Sequence, residues 1–301
     1  MQSISRGYAF LQQAWQMAFK DRDLLKPSIY ALIAGFAVTI VGLVPLVGAA
    51  FLLNNGTWSG QAIMGVVGAL ILFAHYVVGY VFSGMTVYLI YGYLAEGDGR
   101  MDKAWARVQG EFWNIVSLAA ASTLVGLVAG SMRRGGRRGG AGGLLKSALG
   151  GLLEAVWTEA AYLILPAMMI EDANLPAGIK RATQIAKGNL LLVGVSTIGV
   201  RWITGLIGFV LGAVGLVLGL ATGYGLVSAL GTGTVGLIVG IGLGAIIFFV
   251  FVMVATVISS YTMTAYNTCL FLWARDVEKA QAQGQAIQAV PAPAPLAAAL
   301  T

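Results

Sequence analysis

Between Leu190 and Ala274 the chain carries a single charged residue, Arg201, in 85 positions. Three further stretches, Ser28–Leu53, Gln61–Leu94 and Phe112–Met132, contain no Asp, Glu, Lys or Arg at all. About 20 apolar residues cross the hydrocarbon core of a bilayer, so these runs alone force four or more crossings. In lipid every backbone N–H and C=O must be paired inside its own element, which leaves α-helices or closed β-barrels. Barrel strands alternate apolar with polar residues; these runs do not alternate. The fold expected is all-α, a polytopic transmembrane helix bundle. Composition agrees: 58% of the 301 residues are hydrophobic and 10% charged, against roughly a quarter charged in soluble domains.

Spacing of polar breaks divides the chain into three parts and six spans. Residues 1–27 read as an interfacial amphipathic helix, with Ile4, Tyr8, Leu11, Trp15 and Ala18 on one face. It lies either on the membrane or against the protein's own inner face. No cleavable signal pattern precedes the first apolar run, so span one is expected to insert uncleaved. The transmembrane domain covers 28–275, with spans near Ser28–Leu53, Gln61–Leu94, Phe112–Ser131, Gly151–Ile170, and two long ones between Asn189 and Ala274 joined by a turn within Gly223–Gly233. A short helix is expected around Ala104, and Asn174 and Pro176 signal another helix start. The Ala-, Gln- and Pro-rich residues 276–301 read as a disordered cytoplasmic tail.

Six spans place both termini on one side. Twelve Lys and Arg fall in the terminal-side segments, and five (Arg133, Arg134, Arg137, Arg138 and Lys146) fall in one loop opposite. The positive-inside rule then puts the termini in the cytoplasm of a cell membrane. The sequence RRGGRRGGAGG over 133–143 opposes that bias. Arg133, Arg134, Arg137 and Arg138 are either a solvated glycine-rich hinge or a basic patch for anionic lipid headgroups or an acidic partner. The net charge of +6 is spread over such loops and does not indicate nucleic acid.

Forty-two glycines are costly in soluble helices but suit close helix contact in lipid. Four-residue steps run through Gly208–Gly212, Gly215–Gly219 and Gly236–Gly240–Gly244. The last two spans are expected to pack closely, within one chain or between subunits of a homo-oligomer or membrane complex.

Charges within apolar spans call for a functional hypothesis. Glu159, Arg201 and Glu154 qualify, and His75 is the only histidine. From the assigned span ends, Glu159 and Arg201 lie at equal depth, about 16–18 Å at 1.5 Å per residue. Equal depth and opposite charge predict an ion pair, either a gate or counter-ion, or a bridge that fixes helix register. If they pair, Glu159→Gln and Arg201→Gln each lower thermal stability and the double variant is no worse; full additivity excludes the pair. His75 with Glu154 suggests a proton relay, or a histidine simply hydrogen-bonded within the bundle. One His and one Cys make no metal site, and neither a cofactor nor a catalytic constellation is indicated. The GTGTVG string at 231–236 follows no strand, so it is no dinucleotide fingerprint.

The segment Gly7–Tyr30, with Trp15 ahead of KDRDLLK over 20–26, resembles the entry region of an uncharacterised (domain of unknown function) family of prokaryotic six-helix multi-pass membrane proteins. So do Leu165-Pro166, Ile170-Glu171, AGIKRA over 177–182, and Lys187. The resemblance implies a helical membrane fold in a prokaryotic host and brings no activity. Two function classes remain: a transport- or channel-like protein, and a non-transporting scaffold or accessory subunit. An enzyme is not expected.

Overall fold

The computed structural model describes residues 2–52, 58–136, 140–188, 190–231, 233–285 and 290–300. Among them there is no strand. The helices are α1 (Gln2–Lys20), α2 (Lys26–Leu52), α3 (Trp58–Glu96), α4 (Met101–Gly110), α5 (Phe112–Gly136), α6 (Gly140–Glu171), α7 (Leu175–Gly188), α8 (Leu190–Leu230), α9 (Thr234–Ala282) and α10 (Ala294–Leu300), with a 3₁₀ turn at Arg22–Leu24. Six of them, α2, α3, α5, α6, α8 and α9, are long and apolar enough to cross a membrane. The protein is thus an all-α, multi-pass membrane protein. Both long late helices are unbroken. The 49 residues of α9 extend about 74 Å, more than twice the hydrocarbon thickness, so α9 continues well beyond the lipid.

The chain forms two compact units: Asp21–Leu190 with Asn267–Pro291, and Met1–Lys20 with Leu191–Tyr266 and Ala292–Thr301. In the first, α5 and α6 form a close antiparallel pair. A Cβ at Gly150 of α6 would lie 2.7 Å from the Ala129 carbonyl oxygen, so only glycine permits this approach. α3 packs on α2, α5 and α6, and one buried hydroxyl joins three of these helices. Ser122 of α5 shares a 2.7 Å bond with the Tyr80 hydroxyl of α3 and accepts from Trp157 Nε1 of α6 at 2.8 Å. α7 begins as the sequence indicates: Asn174 Oδ1 accepts from the Ala177 amide at 3.1 Å, an N-cap bond.

The second unit is built on the α8–α9 hairpin, which turns at Gly231, whose φ of +84° favours glycine. α1 packs here too. Phe10 meets Tyr266 edge-to-face at 5.3 Å, Trp15 Nε1 donates to Thr262 Oγ1 at 3.2 Å, and the Tyr261 hydroxyl donates to the Ala14 carbonyl at 3.0 Å. The buried stripe of α1 is Phe10, Ala14, Met17 and Ala18, while Tyr8 is 60% exposed. It is rotated from the expected face because Gly7 supplies a contact that apolar spacing does not register: a Cβ there would lie 2.7 Å from the Gly199 carbonyl oxygen.

Two expectations change. The hinge expected over 133–143 is helical at both ends: α5 runs through Gly136 and α6 starts at Gly140. Arg133 and Arg134 are therefore helical, and Arg137 and Arg138 lie outside the described residues. The tail expected to be disordered instead extends α9 to Ala282 and ends in α10, which packs on α1 with Leu296 buried. An apolar anchor in an Ala-rich segment accounts for that helix, and Pro295 stands in its first turn, where it lacks no needed donor.

Candidate functional site

A cavity of the first unit arises from an asymmetry in packing. α3 lies against both α2 and α5, but among the described residues α2 and α5 make no comparable contact with each other. A lateral cleft of about 1090 Å³ is left between them, with α3 as its floor. Leu46 of α2, Gly65, Gly68 and Leu72 of α3, and Gly126 and Leu127 of α5 form its walls. A Cβ at Gly65 or Gly68 would meet nothing within 4 Å, so these glycines widen the cleft rather than close a contact. Gln61, Ser131 and Arg134 form a polar rim at the end near the α5–α6 connection.

The expected site residues distribute as follows. Arg133 pairs with Glu154 across the α5–α6 pair. The close approach of Gly150 to Ala129 and the Trp157–Ser122 bond set Glu154 level with the middle of α5, and the Arg133 side chain reaches along the helix to it. His75 bridges α3 to α2. Its Nδ1 lies 2.9 Å from the Ile71 carbonyl, and its Nε2 3.0 Å from Thr39 Oγ1. A carbonyl only accepts, so Nδ1 carries a proton. In the neutral ring Nε2 then accepts from Thr39, whose hydroxyl otherwise donates to the Gly35 carbonyl at 2.9 Å. His75 and Glu154 thus each have partners other than one another, and the contacts of His75 are those of a histidine bonded within the bundle. Glu159 belongs to the first unit and Arg201 to the second. At Arg201 the surface of α8 has a depression of about 420 Å³ beside Trp202, Gly205, Leu206 and Phe209.

Of the expected packing glycines, Gly215, Gly219, Gly240 and Gly244 make the hairpin contact. A Cβ at Gly219 would lie 2.5 Å from the Gly244 carbonyl oxygen, and one at Gly244 2.5 Å from that of Gly219. Gly236 is buried. Gly208 and Gly212 face open space.

Sequence reasoning missed the charged layer at the other end of the first unit. Arg107 of α4 donates to the Met169 and Met168 carbonyls at 2.8 and 3.3 Å, covering the C-terminus of α6. It also pairs with Asp172 at 2.5 Å. Asp172 is the one non-glycine residue at positive φ, 57°, among those described, and the Arg107 guanidinium holds its carboxyl below the usual range. Arg181 of α7 donates to both oxygens of Glu171 at 2.9 and 3.2 Å and to Glu278 of α9 at 2.5 Å. Burial opposes its charge, but the two carboxylates outweigh burial and raise its pKa. The signal available was a carboxylate at the end of span four, Glu171, ten residues from a cation on the next short helix. Those cations were counted as topology markers instead.

Among the described residues no group of three or more His, Cys, Asp or Glu is placed to hold a metal ion. No protein-family model matches this chain, and neither a curated protein nor a solved structure is significantly similar to it.

Proposed function

We propose that this is a transport-type membrane protein that admits an amphipathic substrate sideways from one leaflet into the cleft between α2 and α5. The observation that supports this reading is the separation of those two helices over α3, which leaves about 1090 Å³ at membrane depth. The cleft opens sideways towards lipid, so an amphipathic molecule can enter it from the bilayer. Apolar walls and a polar, cationic rim suit a molecule with an apolar body and a polar end. Kinship with the prokaryotic family that residues 7–30 and 165–187 resemble is proposed on the same footing, as is a cytoplasmic position for both termini.

The test is exchange of a fluorescent phospholipid between leaflets. Purified protein is reconstituted into phosphatidylcholine vesicles containing a trace of nitrobenzoxadiazole-labelled lipid, and dithionite is added outside. In protein-containing vesicles the inner-leaflet fluorophore is expected to be quenched as well as the outer. Quenching that stops at the outer leaflet, as in empty vesicles, contradicts transport. It would favour a non-transporting scaffold, the reading that the glycine-locked α8–α9 hairpin supports.

A further inference from the structure

The rim of the cleft carries a charge that the protein does not neutralise. Arg133 and Arg134 are adjacent on the last turns of α5, yet their surroundings differ. Arg133 is paired with Glu154. Arg134 points to the cleft, is exposed, and has no carboxylate within ion-pair distance among the described residues. A guanidinium presents a planar fork of donors that matches phosphate oxygens. Gln61 and Ser131 stand at the same rim; the Ser131 hydroxyl donates to the Val128 carbonyl at 2.7 Å, so recognition of the phosphate falls to Arg134.

Length fixes the rest of the ligand. From Arg134 to Gly126 the α5 wall runs eight residues, about 12 Å, and from Gln61 to Leu72 the α3 floor runs eleven, about 16 Å. Both distances are close to half of the roughly 30 Å hydrocarbon core. The cleft is therefore about one leaflet deep, with its charge at the headgroup end and Leu72, Leu127 and glycine backbone below. Those are the dimensions of a single lipid in its own leaflet.

We propose that this cleft is a binding site for an anionic phospholipid, with the headgroup phosphate on Arg134 and an acyl chain against the α3 floor. The proposal rests on the transport reading for its location and names the ligand class that the cleft selects.

Native mass spectrometry of the full-length protein, titrated with phosphatidylglycerol or phosphatidylcholine of identical chains, tests it. Wild type is expected to bind phosphatidylglycerol about 10-fold more tightly, a difference near 1.4 kcal/mol. Arg134→Gln is expected to abolish that preference while leaving phosphatidylcholine binding unchanged. Arg134 is exposed, so the variant should fold, which its melting temperature verifies. Arg100→Gln, a cation paired to Asp102 away from the cleft, should keep the preference. Equal binding of the two lipids by wild type, or an undiminished preference in Arg134→Gln, overturns the assignment. If the preference is absent while dye-lipid exchange persists, headgroup selection fails and transport stands. If the preference is present without exchange, the lipid site stands and transport fails.

Discussion

Gly219→Ala is expected to destabilise the protein by about 2–3 kcal/mol, although it adds one methyl group to a helix. Its Cβ would lie 2.5 Å from the Gly244 carbonyl oxygen, and that obstacle is backbone, which cannot rotate aside. The two helices must separate along their length, including at the neighbouring close approach, where even a Cβ at Gly223 would lie only 3.0 Å from the Gly240 carbonyl oxygen. Gly244→Ala should cost a similar amount. The double variant should cost less than the sum, because one separation relieves both clashes. Gly208→Ala and Gly212→Ala are the controls. They face open space on the same helix and should be neutral or gain up to about 1 kcal/mol from better helix propensity. Thermal unfolding in lipid nanodiscs compares these five variants with wild type. Equal melting of Gly219→Ala and Gly208→Ala contradicts the contact.

The second large effect is expected at Arg181. Replacing it with Gln removes the cation between Glu171 and Glu278 and leaves two carboxylates facing one position. Breaking a fully buried pair costs about 3–5 kcal/mol. Arg181 keeps 17% of its side-chain exposure and Glu278 keeps 41%, so solvent screening lowers the expected loss to about 2 kcal/mol. Arg181→Lys should recover only part of this, because one ammonium cannot reproduce the paired contact to Glu171 together with the bond to Glu278. Thermal unfolding of wild type and both variants checks this; an Arg181→Gln protein as stable as wild type, or full recovery by Arg181→Lys, would contradict the assignment.

The bundle was legible because lipid imposes one rule on every residue of a span. Runs free or nearly free of charge read directly as helices, and five of the six spans lie on them; the fourth carries Glu154 and Glu159. Four-residue glycine spacing similarly indicated the α8–α9 contact at Gly215, Gly219, Gly240 and Gly244. It did not separate these from Gly208 and Gly212, which have the same spacing on a free face. Spacing reports which side of a helix a glycine occupies, not what stands opposite.

The remaining features depend on where helices end and how far apart they stand. Glycine-rich 133–143 was assigned to a hinge on propensity, yet the α5–α6 packing carries helix into it from both sides. Glu154 stays near the level of His75, as its position in span four suggested, but its ion-pair partner is Arg133, which that earlier start of α6 and the length of α5 bring within reach. The partner of His75, Thr39, was hidden because a lone threonine in an apolar run has many explanations. The cleft could not be read at all. It exists because α2 and α5 both choose α3 and not each other, a property of the assembled unit that no single segment carries.

Whether that gap is a pathway is decided most directly by filling it. Gly68 has open space where its side chain would be, so Gly68→Leu should fold normally and occupy the cleft floor. In the dithionite assay wild type and Gly212→Leu, which is altered on an open face of α8, should both exchange labelled phospholipid, and Gly68→Leu should exchange it at least 10-fold more slowly. Undiminished exchange by a folded Gly68→Leu protein would show that lipid does not pass between α2 and α5.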